Sequence, residues 1–224
     1  MDIEQIFSGI GGTFLSSREE MEKAVLNTKA FIFDWDGVFN NGMKNGDAGS
    51  PFSEVDSMGI NLMRFSFWLR TGTIPYCYII TGMTNQTAIS FAKREHFDGI
   101  VMNLKKKKLA LDAICRIRAI SPREVAFVYD DVIDLETAKE TGLSFYVSRS
   151  SNPLLNSFVK DNAICDYITA SPGGNHALRE ITELVTGLSG NYRQTMESRI
   201  VFSKDYEEYL KAREKIITDS DISL

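Results

Sequence analysis

Short apolar runs alternate along the chain with segments of helical periodicity. The runs are apolar on successive positions rather than on every second one, which is typical of strands buried on both faces of a parallel sheet. They cover 30–33, 76–80, 99–102, 125–129 and 144–147. The helical segments cover 57–70, 85–95, 105–119, 135–141 and 175–186. The alternation predicts an α/β fold with a doubly wound, Rossmann-like parallel sheet, in which ligands bind at the carboxyl ends of the strands.

Three segments fall outside this alternation. Residues 40–56 follow the first strand, are rich in Gly, Asn, Ser and Asp, and are predicted to form a short β-hairpin flap. A helix is predicted to begin at Ser17, with Glu20 as its capping-box partner. We therefore expect an N-terminal helical extension (1–28), a core domain (29–187, containing the flap) and a C-terminal helical extension (188–224).

Composition narrows the possible partners. The chain has 224 residues, 43% of them hydrophobic, and a net charge of -5, which gives no reason to expect binding to nucleic acid or to an anionic membrane. The sequence contains neither a membrane-length apolar stretch nor a basic region at its start. These features predict a cytoplasmic protein that binds small molecules or other proteins.

Cysteine and histidine contents restrict the kind of metal site. The cysteines Cys77, Cys115 and Cys165 are widely spaced, and we interpret them as buried thiols. With only 2 histidines in the chain, a bound metal would be held mainly by oxygen ligands. Carboxylates are therefore the first candidates.

Two groups of aspartates follow apolar strands. Asp34 and Asp36 stand two residues apart where the first strand ends, so both carboxylates can point to one place at the sheet edge. Asp130, Asp131 and Asp134 follow the strand at 125–129, and a divalent cation would offset their mutual repulsion. Two alternatives remain open. The first pair could be solvated turn residues, and a carboxylate of the second group could stabilise the start of the next helix.

A hydroxyl and a lysine complete the candidate chemistry. Thr81 and Gly82 follow the second long strand and are suited to donate hydrogen bonds to a phosphate, although this pair is also common turn chemistry. Among the four lysines at 105–108, Lys107 has Leu111 and Ile114 at helical spacing, which places it on the inward face, whereas most of this charge run is expected in solvent.

These four elements, in this order, resemble the haloacid dehalogenase (HAD) superfamily of phosphohydrolases. The resemblance covers roughly residues 28–187. A narrower similarity, to the capless subfamily of 3-deoxy-D-manno-octulosonate 8-phosphate (KDO 8-P) phosphatases, is carried by Val55-Asp56-Ser57-Met58-Gly59-Ile60, by Ser121-Pro122-Arg123-Glu124-Val125-Ala126 and by Gly173-Gly174-Asn175-His176-Ala177-Leu178-Arg179-Glu180.

The resemblance implies a Mg²⁺-dependent phosphatase that hydrolyses a small phosphorylated metabolite, such as a sugar-acid phosphate, through an aspartyl phosphate. It implies Asp34 as the nucleophile and Asp36 as the general acid and base. The implied Mg²⁺ ligands are Asp34, the backbone carbonyl of Asp36 and Asp130, with Asp131 and Asp134 orienting them. The implied substrate-binding residues are Thr81, Gly82, Asn85 and Lys107. Members of the subfamily form tetramers in which neighbouring subunits help to close the site, so we expect a homo-oligomer.

Two residues depart from the family pattern. Tyr129 stands where a glycine usually precedes the acidic pair, and Met83 follows Thr81-Gly82 where many relatives have a basic residue. These departures keep open a catalytically weak HAD-fold protein that serves in binding or assembly, as well as a phosphotransferase that shares the aspartyl intermediate. A response-regulator receiver domain is disfavoured, because the strand at 99–102 ends without the phospho-acceptor aspartate that such domains carry on the third strand.

Overall fold

The computed structural model describes residues 2–46, 49–220 and 222. Within these residues, one sheet has the strand order β1-β7-β6-β5-β2-β3-β4. The strands are β1 (Thr13–Phe14), β2 (Ala30–Asp34), β3 (Tyr76–Ile80), β4 (Gly99–Val101), β5 (Val125–Tyr129), β6 (Leu143–Tyr146) and β7 (Tyr167–Ile168). Neighbouring strands are parallel except at the β1–β7 edge, which is antiparallel. The five predicted strands are confirmed, whereas β1 and β7 were not predicted because two residues carry too little pattern.

Helices cover both faces of the sheet. They are α1 (Ile3–Gly9), α2 (Arg18–Asn27), α3 (Glu54–Thr71), α4 (Gln86–Arg94), α5 (Lys107–Arg118), α6 (Leu135–Ala138), α7 (Pro153–Asp161), α8 (Ala177–Leu188), α9 (Tyr192–Ile200) and α10 (Lys204–Arg213). Strand β2 shows why the sheet is covered twice: Phe31 and Phe33 belong to the apolar core on one face, and Ala30 and Ile32 to the core on the other. The prediction of a doubly wound α/β fold is confirmed. No helix among the described residues is both long and apolar enough to span a membrane.

The segment predicted as a β-hairpin flap has another form. Its described residues, 40–46 and 49–53, contain no strand, and α3 already begins at Glu54. Asn40 Oδ1 accepts a hydrogen bond from the Gly42 amide at 2.9 Å, and Asn41 Oδ1 accepts one from the Met43 amide at 3.1 Å. Because such local bonds compete with pairing between strands, this part of the flap is an irregular loop. Residues 47 and 48 lie outside the described residues.

The predicted helix at Ser17 is confirmed, with the reciprocal capping-box bonds between Ser17 and Glu20. The N-terminal segment also contains α1, which was not predicted, and it supplies β1 to the edge of the sheet. The domain boundaries after residues 28 and 187 stay predictions. All three cysteines are buried and free, as predicted.

The C-terminal segment contains α9 and α10, in agreement with its helical composition, and it is attached to the core. Tyr206 Oη donates to Asn61 Oδ1 on α3 at 2.9 Å. Further along, the Ile100 amide on β4 donates to the Asp219 carbonyl at 2.9 Å. We call residues 192–219 the C-terminal clamp, because they hold both α3 and the edge strand β4.

Candidate active site

A cleft of about 280 Å³ opens at the carboxyl ends of the central strands. Because parallel strands end at the same edge, residues far apart in sequence meet there: Asp34 ends β2, Thr81 follows β3, and Asp130 follows β5. The cleft is lined by Asp34, Asp36, Gly37, Gly42, Lys44, Thr81, Gly82, Met83, Lys107, Asp130, Asp131, Ile133 and Arg149. The structure therefore brings together most of the residues that the sequence indicated.

Lys107 lies between two carboxylates at the floor of the cleft. Its Nζ is 2.7 Å from Asp34 Oδ1 and 2.6 Å from Asp134 Oδ1. Only 2% of the lysine is exposed, whereas Lys105 and Lys106 are exposed, which confirms the inward direction predicted from helical phase. The lysine thus offsets the charge of two largely buried acids.

Burial changes the proton affinities of this group. It raises the pKa of Asp34 above its usual range, although Lys107 opposes the shift. Burial and the nearby Asp34 charge raise the pKa of Asp134 to about 7. Burial by itself would lower the pKa of Lys107, but the two carboxylates outweigh that effect and raise it. The lysine therefore stays charged beside the acids.

Three buried carboxylates have the arrangement of a cation site. Oxygens of Asp34, Asp130 and Asp134 all lie within 4.8 Å of one another. Asp134 Oδ2 has no hydrogen-bond partner among the described residues although it is fully buried. A hard divalent cation such as Mg²⁺ fits this set, because it binds oxygen ligands and would offset their charge. The ligand role implied for the backbone carbonyl of Asp36 stays a prediction.

Asp36 lies at the cleft wall and is held by the flap. Ser50 Oγ donates to Asp36 Oδ1 at 2.7 Å, and Lys44 Nζ is 3.1 Å from Asp36 Oδ2. The loop behind it is supported by Gly173, because a side chain there would overlap the Gly37 and Asn40 carbonyls. The flap and the Gly-Gly segment thus position the residue implied as general acid and base.

Of the other predicted substrate-binding residues, Thr81 and Gly82 line the cleft and Asn85 does not. Thr81 is buried, and its hydroxyl has no partner among the described residues, so it can donate to a bound oxygen. Gly82 lines the cleft beside it. Asn85 lies outside the lining set and caps α4, where its Oδ1 accepts from the Ala88 amide at 3.1 Å. The substrate-binding role of Asn85 has no support from this position.

Asp131 stabilises the start of a short helical turn and also lies at the cleft. Its Oδ1 accepts a hydrogen bond from the Val132 amide at 2.7 Å and caps the short helical turn that follows. The same residue lines the cleft. Helix-start stabilisation therefore accounts for Asp131, whereas the buried Asp130 and Asp134 face the cation site.

Tyr129 does not enter the cleft. Its ring is fully buried, stacks on Phe127 with centroids 5.4 Å apart and contacts Tyr146. The side chain alternates to the core face of β5 while the loop of Asp130 begins after it. This departure from the family pattern thus changes the core beneath the site and leaves the lining of the cleft unchanged.

Sequence reasoning missed three polar residues of the site. Arg149, in the loop after β6, contacts Asp130 through its guanidinium, and Lys44 and Ser50 bind Asp36 from the flap. All three lie in irregular segments where no periodicity predicts side-chain direction. The only available signal was their position after a strand.

Comparisons with known proteins identify the family of the chain. No family model matches the sequence. KdsC, the 3-deoxy-D-manno-octulosonate 8-phosphate phosphatase of Escherichia coli BL21-DE3, is 30% identical over 173 residues, which cover 75% of this chain and 84% of the relative. The chain belongs to the HAD phosphatase family that includes KdsC.

Solved structures extend the similarity to the fold. The KDO 8-P phosphatase of Moraxella catarrhalis, in complex with a magnesium ion, a phosphate ion and KDO, is 25% identical with a TM-score of 0.66 and covers 80% of this chain and 98% of its own. A Legionella pneumophila hydrolase assigned to the HAD superfamily has a TM-score of 0.67 at 21% identity, covers 81% of this chain and 94% of its own, and shows the shared fold. The magnesium ion of the Moraxella complex agrees with the Mg²⁺ that the family resemblance implies.

Proposed function

We propose that this HAD phosphatase hydrolyses the phosphate ester of a small sugar acid, such as KDO 8-phosphate, with Mg²⁺ and through an aspartyl-phosphate intermediate. One observation carries the proposal: the Asp34 carboxylate lies at the cleft floor, held by Lys107 at 2.7 Å, within a cluster of three buried acids. The names of the relatives support the substrate class.

Asp34 is placed to attack phosphorus. Its Oδ1 accepts a hydrogen bond from the Trp35 amide at 2.8 Å and contacts the Lys107 ammonium. The other oxygen, Oδ2, is therefore left for the attack. A new Oδ2–P bond forms as the ester P–O bond breaks, and Asp36 gives its proton to the departing alkoxide. Asp36 then takes a proton from the water that attacks phosphorus, which releases inorganic phosphate and restores Asp34.

The surrounding groups stabilise the transferred phosphoryl. The buried Thr81 hydroxyl donates to a phosphoryl oxygen, and Lys107 limits the repulsion between the phosphoryl and the carboxylates. Asp34, Asp130 and Asp134 would hold Mg²⁺, so that Asp134 would be a direct ligand and not only the orienting residue that the resemblance implies. The ion would supply positive charge that lets the anionic ester approach Asp34. Lys44 adds a cation at the cleft wall, which suits a substrate that carries a carboxylate besides its phosphate.

Steady-state phosphate release from a panel of sugar phosphates and sugar-acid phosphates tests this function. We expect the wild-type protein with Mg²⁺ to prefer sugar-acid phosphates. Asp34→Asn should reduce turnover by at least about a thousandfold, because it removes the nucleophile. Asp112→Asn, at a surface carboxylate paired with Lys108, is the matched control and should retain activity.

Background release from folded, Mg²⁺-loaded wild-type protein on every substrate would contradict the proposal and favour the binding or assembly alternative. Equal turnover by wild type and Asp34→Asn would contradict the nucleophile assignment.

We further propose that the chain self-associates, with a neighbouring subunit covering the cleft mouth. Two apolar side chains that line the cleft are exposed in the single chain, Met83 by 61% and Ile133 by 60%, and Met43 and Val132, which are sequence neighbours of lining residues, are exposed by 70% and 59%. Light scattering coupled to size-exclusion chromatography should give a molar mass that is a multiple of the 25.2 kDa chain mass. A stable monomer at micromolar concentration would contradict self-association. A tetramer and a cytoplasmic location stay predictions from the family resemblance.

A further inference from the structure

Arg149 is a cation of the cleft that none of the sequence motifs contains. Its guanidinium contacts Asp130 Oδ2 directly, and Asp130 is one of the three clustered carboxylates. Asp130 is almost fully buried, whereas Arg149 lines the cleft and 28% of its side chain is exposed. The arginine therefore joins the cation site to the open part of the cleft.

The backbone around Arg149 is built to place it there. Ser148 Oγ donates to the Thr169 carbonyl at 2.7 Å, and Asn156 Nδ2 donates to the Arg149 carbonyl at 2.9 Å. Gly37 is also required, because a β-carbon at this position would overlap both the Asp130 carboxylate and the Arg149 guanidinium. The contact thus depends on an anchored loop and on a glycine of the first motif.

The three cations that line the cleft differ in how they are paired. Lys107 contacts two carboxylates, Asp34 and Asp134, and Lys44 contacts Asp36. Asp130 is the one carboxylate paired with Arg149 among the described residues. A divalent cation on the cluster competes for Asp130 and repels the adjacent guanidinium. Because Asp130 is its one carboxylate partner among the described residues, Arg149 is left unpaired when the metal takes Asp130.

We propose that Arg149 neutralises Asp130 in the metal-free enzyme and that Mg²⁺ binding releases it to bind the anionic phosphoryl group of the substrate. This inference rests on the proposed function, because it assigns a role to Arg149 toward the metal and the phosphate ester. A guanidinium is suited to bind a phosphoryl group, since two of its N–H groups can donate parallel hydrogen bonds to two phosphate oxygens. Metal and substrate then bind with positive coupling, because the metal frees the cation that the anion uses.

Calorimetric titration of Mg²⁺ into metal-stripped protein tests whether Arg149 competes with the metal for Asp130. Without its competitor, Arg149→Ala should bind Mg²⁺ about tenfold more tightly than wild type, since a charge-assisted contact contributes free energy of this order. Arg149→Lys, which keeps the charge, should show a smaller increase. Lys105→Ala removes an exposed cation from the same sheet edge and should bind Mg²⁺ as wild type does. Thermal melting of each variant confirms that it is folded.

Titration of inorganic phosphate into the Mg²⁺-saturated proteins tests whether the released Arg149 binds the anion. Arg149→Ala should bind phosphate about tenfold more weakly, and Lys105→Ala should be unchanged. Unaltered Mg²⁺ affinity in folded Arg149→Ala would overturn the proposal. Tighter Mg²⁺ binding with unaltered phosphate binding would overturn the release to the anion.

A failure of the proposed function would be seen in hydrolysis and not in the two binding titrations. A wild-type protein that binds Mg²⁺ and hydrolyses no phosphate ester would refute the phosphatase assignment, whereas both titrations measure binding and require no turnover.

Discussion

Two regions of the molecule each bury a cation, and they satisfy it with different partners. At the active site, Lys107 faces the carboxyl groups of Asp34 and Asp134. Beside the C-terminal clamp, Arg64 on α3 donates to the neutral backbone carbonyls of Glu95 at 2.6 Å and His96 at 2.9 Å. Both side chains are at most 2% exposed, so the difference lies in the acceptors and not in the burial.

The acceptors decide what each cation can do. The carbonyls that Arg64 binds end α4, so the arginine completes hydrogen bonds that the helix cannot make itself. The carboxyl groups that Lys107 binds have further oxygen lone pairs with which they can also hold a metal ion or attack phosphorus. We infer that Arg64 serves stability and Lys107 serves chemistry, and four substitutions test this contrast.

The largest effect is expected at Lys107. Lys107→Met should lower the turnover of the Mg²⁺-loaded protein by about a thousandfold, because the phosphoryl and the carboxylates lose their shared cation. Lys108→Met is the matched control, since the neighbouring lysine pairs with Asp112 and Glu140 on the surface. Phosphate-release kinetics measure both variants, and equal losses would contradict the contrast.

Arg64→Met should instead destabilise the fold. The Glu95 and His96 carbonyls lose their donors, and we expect the free energy of unfolding to fall by about 3 kcal/mol. Turnover at 25 °C should stay within about twofold of wild type, because Arg64 does not line the cleft. Urea unfolding measures the first quantity, with the exposed Arg193→Met as control. A large loss of turnover in folded protein would give Arg64 a part in the chemistry.

Asp130→Ala should raise the Mg²⁺ concentration needed for half-maximal turnover by about tenfold or more, because it removes one of three clustered oxygen ligands. Lys105→Ala should leave that concentration unchanged. Titration of activity against Mg²⁺ distinguishes the two, and equal shifts would contradict the assignment of Asp130.

The smallest effect is expected in the clamp. Tyr206→Phe removes the hydrogen bond to Asn61 and leaves the ring packed on Phe65, so it should cost about 1 kcal/mol of unfolding free energy. Tyr192→Phe, at the half-buried start of α9, is the control. A Tyr206→Phe protein as stable as wild type in urea would show that this contact does not contribute to holding the clamp.

Much of the site followed from local spacing. Asp34 and Asp36 stand two apart at the end of a buried strand, and Lys107 shares a helix face with Leu111 and Ile114. Strand and helix periodicities determine side-chain direction within one element, so Asp34 and Lys107 could be predicted without knowing the neighbours. Asp36 lies beyond β2, and Ser50 and Lys44 of the flap hold its side chain. The same reasoning failed for the flap, because Asn40 and Asn41 bond to nearby amides instead of pairing as strands.

The sequence by itself determined the alternation of strands and helices, the acids at the strand ends and the inward lysine. Only the tertiary structure decided which charges meet: Arg149 with Asp130, Lys44 with Asp36, and Arg64 with the end of α4. The physical reason is that these contacts join loops or elements distant in sequence. Their geometry depends on packing across the whole sheet, which no local periodicity describes.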